Sequence, residues 1–529
     1  MRVLFVMQSP EYLRFYESTI RLLAARGHTV LLAVNKQNEA KPVRLDDVGG
    51  PPPGEAPAGR AGSVISLGIV PRRDDVWRHV GRRLRGLMDF ARYLDPRLAR
   101  AKALRARMKH KVLPRGFRWL DRVPSLPGPL TRALLGGLAA LERTIPLSPA
   151  IQRFITDAAP EVVLVSPLVD AASDQVDIVK GARALGIPVA ACIASWDNLT
   201  NKGMLRVQPD AVIVWNEAQK AEAVAFHGVP ADRVRTTGAQ LFDRWFAERP
   251  STTRERFCAR LGLPASQPFV LFTCSSSFIA LSQAEVVFVA RWLQRLRQHP
   301  VLRGVAVLVR PHPYNCAAWE TADLARPGEV AIWPRRAYNP IDEEHRRGFF
   351  DSLYHSAAVV GVNTSAMIEA AIVGRPVLSM LSSEFSGTQE GTLHFHHLLP
   401  ENGGFLRMAA SLDEHVAQLA EVMRNPEAVR AETERFVRSF IRPHGIERDA
   451  TPLVADAVEQ VASQPAGVPA GSPVWAPVGR AVMLGAGAYV WCCNLARDAE
   501  HRRKTRKRLM GNLRHRRKAM RKDLQARGL

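Results

Sequence analysis

Several short segments carry side chains that can bind phosphate, and the first of them ends an apolar run. In "VLVRPHP" (307–313) the run stops at Arg310 and His312, which are separated by one proline. A guanidinium is a permanent cation with several N–H donors, and an imidazole can donate to a phosphate oxygen. Because ligands bind at the carboxyl ends of strands in α/β sheets, both residues are candidate anion contacts. A strand end with a surface arginine is the alternative interpretation.

The segment "TCSSS" (273–277) also follows an apolar run. Ser275 and Ser276 offer hydroxyl and backbone N–H groups that suit phosphate oxygens. These serines are therefore candidate partners of the same anion.

A third such segment is "NTSAMIE" (363–369). Asn363 or Thr364 can cap a helix whose N-terminus favours an anion. Glu369 follows Ser365 by one turn, where its carboxylate could accept from ribose hydroxyls. A phosphate at the helix start with a ribose one turn later is a coherent nucleotide site. Plain helix capping and a surface glutamate form the alternative.

The elements that position these segments alternate between strand and helix. The run 2–7, an amphipathic helix ending near Gly27 and the run 28–34 form a βαβ unit, and a second alternation begins after a break at 262–268. The first strand lacks a following GxGxxG, which disfavours a nicotinamide enzyme. We therefore predict an α/β protein of two Rossmann-like domains facing across a cleft, followed by a basic C-terminal helical tail. The predicted boundaries are 1–250 with a basic helical insertion at 71–118, 265–445, a terminal helix at 446–462, a linker at 463–479 and the tail at 480–529.

The net charge of +23 is concentrated in two segments. Residues 71–118 carry 16 Lys and Arg against 4 Asp, and residues 501–529 carry 13 against 1. This distribution suggests attachment to an anionic surface. The apolar stretch 481–496 is too short to span a bilayer, and with the basic residues after it, it suits peripheral attachment to anionic lipid. Nucleic acid and a solvated disordered tail are the alternatives; we consider nucleic acid the weaker, because the tail lacks interleaved aromatic residues.

The six cysteines show no CxxC pair, so we expect reduced thiols in a cytoplasmic protein. The N-terminus lacks the long apolar region of a signal peptide and is predicted to be the first strand. Three histidines at 394, 396 and 397 have no cysteine or suitably spaced carboxylate nearby, so no metal site is predicted.

These motifs resemble those of GT-B glycosyltransferases over roughly residues 1–445. The double alternation, "RPHP" and "NTSAMIEAAIVGRPVL" (363–378) carry the resemblance. "RPHP" looks most like the element of capsule and teichoic-acid enzymes and some bacterial sialyltransferases. "SWDNLTNKG" (195–203) and "GTLHFHHLL" (391–399) resemble uncharacterised bacterial surface-polysaccharide proteins.

The resemblance implies a metal-independent, inverting glycosyltransferase without a cofactor. Its donor would be a nucleotide-sugar and its acceptor a cell-envelope glycan or a lipid-linked molecule. The basic tail, by its expected attachment to anionic lipid, would place the protein at the inner face of the plasma membrane. His312, Ser365 and Glu369 would bind the donor's nucleotide and phosphates, and Thr388 and Gln389 in 386–399 would contact its sugar and phosphate.

An inverting transferase also needs a base for the acceptor hydroxyl, and the first domain should supply it. Asp197 is the first candidate, with Trp196 as a surface for a sugar and Asn198 and Lys202 as further acceptor contacts. An Asx-turn closing the strand explains the same aspartate without catalysis. Glu11 and Asp170 are the second and third candidates, and for both a carboxylate at a helix start is the simpler interpretation.

Other functions share this architecture. A UDP-N-acetylglucosamine 2-epimerase and a CDP-alditol phosphotransferase are the enzymatic alternatives, although the acidic and basic site motifs of the epimerases are not evident. A nucleotide- or polysaccharide-binding assembly protein is the non-enzymatic alternative.

Overall fold

The computed structural model describes residues 1–36, 62–336, 343–467 and 471–492. Residues 37–61 and the polybasic segment 501–529 therefore lie outside the described residues. Among the described residues, no helix combines the length and the apolar character that crossing a membrane requires.

The strands form two groups along the chain. The first group is β1 (Arg2–Met7), β2 (Thr29–Val34), β3 (Ser63–Ile69), β4 (Val162–Ser166), β5 (Val189–Cys192), β6 (Ala211–Val214) and β7 (Val234–Thr236). The second is β8 (Phe269–Thr273), β9 (Ala306–Arg310), β10 (Val330–Ile332), β11 (Ala358–Gly361), β12 (Val377–Met380) and β13 (Arg407–Ala409).

Each group forms its own parallel sheet. The orders are β3-β2-β1-β4-β5-β6-β7 and β10-β9-β8-β11-β12-β13. Most strands are continuous apolar runs because helices cover both faces of a parallel sheet; β4 and β8, for example, are buried along their whole length. The predicted α/β class with two Rossmann-like domains is confirmed.

The helices fall between these strands. Those of the first domain are α1 (Leu13–Ala25), α2 (Trp77–Ala91), α3 (Lys102–Lys111), α4 (Gly128–Thr144), α5 (Pro149–Ala158), α6 (Gln175–Ala184), α7 (Asn198–Asn201), α8 (Glu217–His227) and α9 (Asp243–Ala247). Those that follow are α10 (Arg254–Leu261), α11 (Ser282–Gln298), α12 (Ala317–Glu320), α13 (Glu343–Tyr354), α14 (Ala366–Ile372), α15 (Leu412–Arg424), α16 (Arg430–Phe436), α17 (Ala450–Ser463) and α18 (476–492).

The helix α17 returns to the first domain. Its Val454 and Val458 pack with Ile20 of α1 in one buried cluster. Asp243 accepts hydrogen bonds from the backbone N–H groups of Ala450 and Thr451 at 3.0 and 2.7 Å, which fixes the start of α17. The helix α17 thus ties the end of the second domain to the first.

The helical insertion between β3 and β4 includes α4 and so extends beyond residue 118. Its basic charge is partly internal: Arg85 is 2% exposed and binds Glu142 and Asp177 at 2.9 Å. Arg73 also binds Asp177, and Arg92 is buried against backbone carbonyls of 199–203. The sequence interpretation that this segment's charge serves an anionic surface is therefore wrong for these three arginines, which hold the insertion on the domain.

Candidate functional site

The carboxyl ends of both sheets face a common cleft. One cavity in it, of about 250 Å³, we call the polar cavity. The first domain contributes Trp196 and Asp197, and the second contributes Ser276, His312 and 363–365. The structure therefore brings together residues predicted from four separate segments of the sequence. The chain has the GT-B fold.

Strand register explains why these segments meet. Thr273, the last residue of β8, pairs with Arg310 at the end of β9 and with Gly361 at the end of β11. Since the three strands end at one level, the loops that follow them emerge side by side. Ser276, His312 and Asn363 are each two or three residues beyond these ends.

A second cavity lies beside the first, and we call it the aromatic cavity. It shares Ser195, Trp196 and Ser365 with the polar cavity. Seven aromatic side chains line it: Phe15, Trp196, Trp215, Phe242, Trp245, Phe349 and Phe350. Its charged lining residues include Arg14, Arg244 and Glu369. Ser365 thus lies between two neighbouring compartments.

Glu369 lies in the aromatic cavity one turn beyond Ser365. Burial raises the pKa of Glu369 to about 7, although the guanidinium groups of Arg14, Arg244 and Arg310 oppose this shift. Its carboxyl group therefore changes charge near neutral pH.

His312 is oriented to donate a hydrogen bond. Its Nδ1 accepts from the backbone N–H of Tyr314 at 3.2 Å, which places the proton of the neutral ring on Nε2. Burial, together with the positive charge of Arg14, lowers the pKa of His312 to about 4. The imidazole is therefore a neutral N–H donor at physiological pH.

Arg310 is not among the described residues that line either cavity. Its guanidinium lies over the rings of Trp333 and Phe349 and donates to the hydroxyl of Ser352 at 2.9 Å. Burial lowers the pKa of Arg310 to about 9. Its charge interacts with the carboxyl group of Glu369.

Three predicted donor contacts bind other parts of the protein instead of facing the polar cavity. The N–H of Ser275 donates to Glu285 at 2.9 Å, and the hydroxyl of Thr388 donates to the carbonyl of Ile279 at 2.8 Å. Gln389 is fully buried, and its amide donates to the carbonyls of Val362 and Met380. These residues hold the cavity loops, and their side chains are not brought into the polar cavity.

The segment 363–365 is arranged differently from the prediction. Asn363 does not cap α14; its amide donates to the carbonyl of Thr388 at 2.8 Å. The Thr364 hydroxyl accepts from the N–H of Ala366 at 3.4 Å, and Ser365 immediately precedes α14. Because α14 has only seven residues, the anion-binding capacity of this segment comes from its own hydroxyl and N–H groups.

Asp197 follows β5 and is held by its own loop. Its carboxylate accepts from the amides of Asn201 at 2.8 Å and Asn198 at 3.3 Å. Burial raises its pKa, but the neighbouring His394 and Lys202 and the hydrogen bonds lower it more, so the pKa of Asp197 lies below its usual value. Asp197 is therefore an ionised carboxylate facing the polar cavity.

The other first-domain candidates are placed beside this loop. Asn198 is 1% exposed and accepts from the N–H of Ala194, so its side chain shapes the loop. Lys202 contacts the hydroxyl of Tyr12 at 3.2 Å, next to the charge of Asp170. Glu11 lies in the turn before α1. Neither Asp170 nor Glu11 is among the described residues that line the two cavities.

Sequence reasoning missed three groups at the cleft. His394, considered only as a metal ligand, lines the polar cavity against Trp196. Arg107, from the insertion, also lines it; it donates to Asn201 at 2.7 Å and lies over the ring of Phe278. Arg14 lines the aromatic cavity. A basic residue one turn into the helix after β1 was the available signal for Arg14, whereas only the folded chain reveals Arg107.

The side chains of His394, His396 and His397 contact three different parts of the protein. The ring of His396 contacts the carbonyl of Glu390, and His397 contacts the carboxylate of Glu222 at 2.6 Å. No cluster of three His, Cys, Asp or Glu with metal-binding geometry occurs among the described residues.

No family model matches the sequence, and no curated protein matches it. Similar solved structures include UDP-GlcNAc 2-epimerases from Neisseria meningitidis and Methanocaldococcus jannaschii and a glycosyltransferase from Rickettsia africae. Their identities to this chain are 12%, 11% and 9%, and each has a TM-score of 0.48. The alignments cover 87%, 87% and 88% of this chain and 100%, 100% and 99% of the other.

Proposed function

We propose that the protein binds a nucleotide-sugar in this cleft and transfers the sugar, with inversion, to a cell-envelope glycan or a lipid-linked acceptor. The observation that carries the proposal is the position of Ser365, which lines both cavities. A diphosphate at this junction would extend its two substituents into two chemically different compartments.

The aromatic cavity suits the nucleoside. Its aromatic walls offer faces for a base, and Glu369 is placed to accept from ribose hydroxyls. Arg14 and Arg244 supply positive charge at the same wall. The nucleoside would therefore lie on the Glu369 side of the diphosphate.

The polar cavity suits the diphosphate and the sugar. Ser276, Thr364, Ser365 and the Nε2–H of His312 supply donors, so no metal ion is needed to stabilise the leaving phosphate. Asp197 faces them from the first domain and is the base that would accept the proton of the acceptor hydroxyl. Trp196 provides an adjacent surface for a sugar.

The proposal is tested by incubating the protein with UDP-, GDP-, CMP- and CDP-linked donors, with and without membrane extracts as acceptor. We expect one nucleotide to bind and to be released as product when acceptor is present. Isomerisation of the sugar without its transfer would indicate the epimerase, and transfer of an alditol phosphate would indicate the phosphotransferase. Binding without turnover would indicate a nucleotide-binding assembly protein.

A further inference from the structure

The helix α18 is apolar on both of its sides. One side is buried on the insertion: Met483 is 4% exposed and packs in a cluster with Leu84 and Leu138. On the other side, Val478 and Val482 are 66% and 56% exposed. A helix at a protein surface normally has a polar outer face, so this face requires an apolar partner.

Charge is almost absent from this helix. Between residues 476 and 492 the one ionisable side chain that is charged at neutral pH is Arg480, and its guanidinium donates to the carbonyl of Thr144 at 2.8 Å. The exposed face that carries Val478 and Val482 therefore has no charged side chain, and further along the helix the same face continues to Tyr489, which is 54% exposed.

The insertion extends this apolar surface. Segment 115–122 contacts the end of α18, where the rings of Phe117 and Tyr489 lie 6.5 Å apart, and it presents Trp119 with 56% exposure. The helix α4 packs beside α18 and presents Leu130, also 56% exposed. We call the exposed set Trp119, Leu130, Val478, Val482 and Tyr489 the apolar platform.

Positive charge accompanies the platform. The exposed cations of the insertion include Arg82 on α2, Arg122 in segment 115–122 and Arg132 on α4. Segment 115–122 and α4 also carry residues of the platform. The sequence that follows α18 adds 13 Lys and Arg against one Asp in residues 501–529. An apolar face with aromatic residues, combined with a surplus of cations, matches the chemistry of a bilayer interface that contains anionic lipid.

We infer that the apolar platform docks onto an anionic membrane surface, with α18 lying in the plane of the interface. Since α18 belongs to the folded body, the contact would also fix the orientation of the cleft relative to the membrane. A second copy of the chain is a poorer partner, because both copies would bring the same positive charge. Nucleic acid would satisfy the charge but leave the apolar face in water. This inference does not depend on the reaction proposed above.

The test is flotation of the full-length protein with phospholipid vesicles. Vesicles of equal parts phosphatidylglycerol and phosphatidylcholine should bind it, and pure phosphatidylcholine vesicles should bind it more weakly. The double substitution Val478→Glu/Val482→Glu should weaken binding about tenfold or more, because it places two carboxylates at the apolar contact. Val287→Glu/Val301→Glu is the matched control: these valines are 50% and 43% exposed on the second domain, and binding should not change.

A second readout reports the contact directly. Cys492 is an exposed thiol at the end of α18, and an environment-sensitive dye on it, in a Cys316→Ser/Cys493→Ser background, should increase in fluorescence with anionic vesicles. Unchanged binding by the Val478→Glu/Val482→Glu protein would overturn the inference, since attachment would then depend on charge alone. Failure of the wild-type protein to bind anionic vesicles would overturn it too. So would self-association in light scattering that the same double substitution abolishes, which would assign the platform to a second copy.

Discussion

Trp196 of the first domain and His394 of the second meet edge to face across the cleft, with their ring centroids 4.8 Å apart. They are 5% and 3% exposed. Both line the polar cavity. The pair therefore closes the two domains on each other at the place where the reacting groups lie.

The first prediction concerns the energy of this contact. The substitutions Trp196→Leu and His394→Ala should show a coupling of about 0.5–1.5 kcal/mol in a double-mutant cycle of urea unfolding, as aromatic pairs do. His299 at the end of α11 is a control: Trp196→Leu and His299→Ala should be additive. Additivity of Trp196→Leu with His394→Ala would show that the contact contributes no stability.

The second prediction separates the candidate bases. Asp197→Asn keeps the size of the side chain but removes its charge and one of its two acceptor oxygens, so nucleotide release should fall roughly 10²–10⁴-fold while donor affinity is kept. Asp170→Asn is the matched control. It should retain most activity, because Asp170 is not among the described residues that line the two cavities. The reverse result would move the base to Asp170.

The third prediction follows from the pKa of Glu369, which burial raises to about 7. Below this pH the group is a neutral acid, and above it a carboxylate, which accepts more strongly from ribose hydroxyls. Affinity for the nucleotide-sugar should therefore rise between about pH 6 and pH 8, roughly one unit either side of that pKa. Calorimetric titration of the Glu369→Gln protein should show weaker, pH-independent binding. Parallel pH profiles for both proteins would contradict the assignment.

The sequence predicted most of the cleft because the relevant residues follow apolar runs. A run such as 305–309 must be a buried strand, and in a parallel sheet the residues after it lie at the ligand-binding edge. His312 and 363–365 were found in this way. The sequence does not show in which direction each side chain points. For this reason Arg310 and Gln389 were predicted to face the cleft, whereas in the structure they support its walls.

The insertion shows a second limit of sequence reasoning. Sixteen basic residues in 71–118 suggest an exposed charged surface, yet Arg85 is one of the largest fully buried side chains. Its partners Glu142 and Asp177 lie 57 and 92 residues further along the chain. Counting charges within one segment cannot reveal pairs of this kind.

The fourth prediction concerns stability and the support of Ser275. Burial raises the pKa of Glu285 to about 8, well above its value in an unfolded chain. The folded protein then binds a proton that the unfolded chain releases, so this group's contribution to stability is complete at low pH and is lost as the pH rises towards 8. Between pH 5 and pH 8, this group should lower the free energy of unfolding of the wild-type protein by about 2–4 kcal/mol. The Glu285→Gln protein should not show this decrease.

Urea denaturation at the two pH values measures this difference. Glu401→Gln, at an exposed glutamate of the same domain, is the control and should behave as wild type. An identical pH dependence in the Glu285→Gln and wild-type proteins would mean that the carboxyl group ionises normally in the fold.

The central claim is that a nucleoside diphosphate lies at Ser365, between the aromatic and the polar cavity. A crystal structure of the protein with whichever of UDP, GDP, CDP or CMP binds most tightly tests it directly. The phosphates should contact Ser276, His312 and Ser365, and the ribose hydroxyls should contact Glu369. A nucleotide bound outside the cleft, or with its base on the Asp197 side of the phosphates, would contradict the claim.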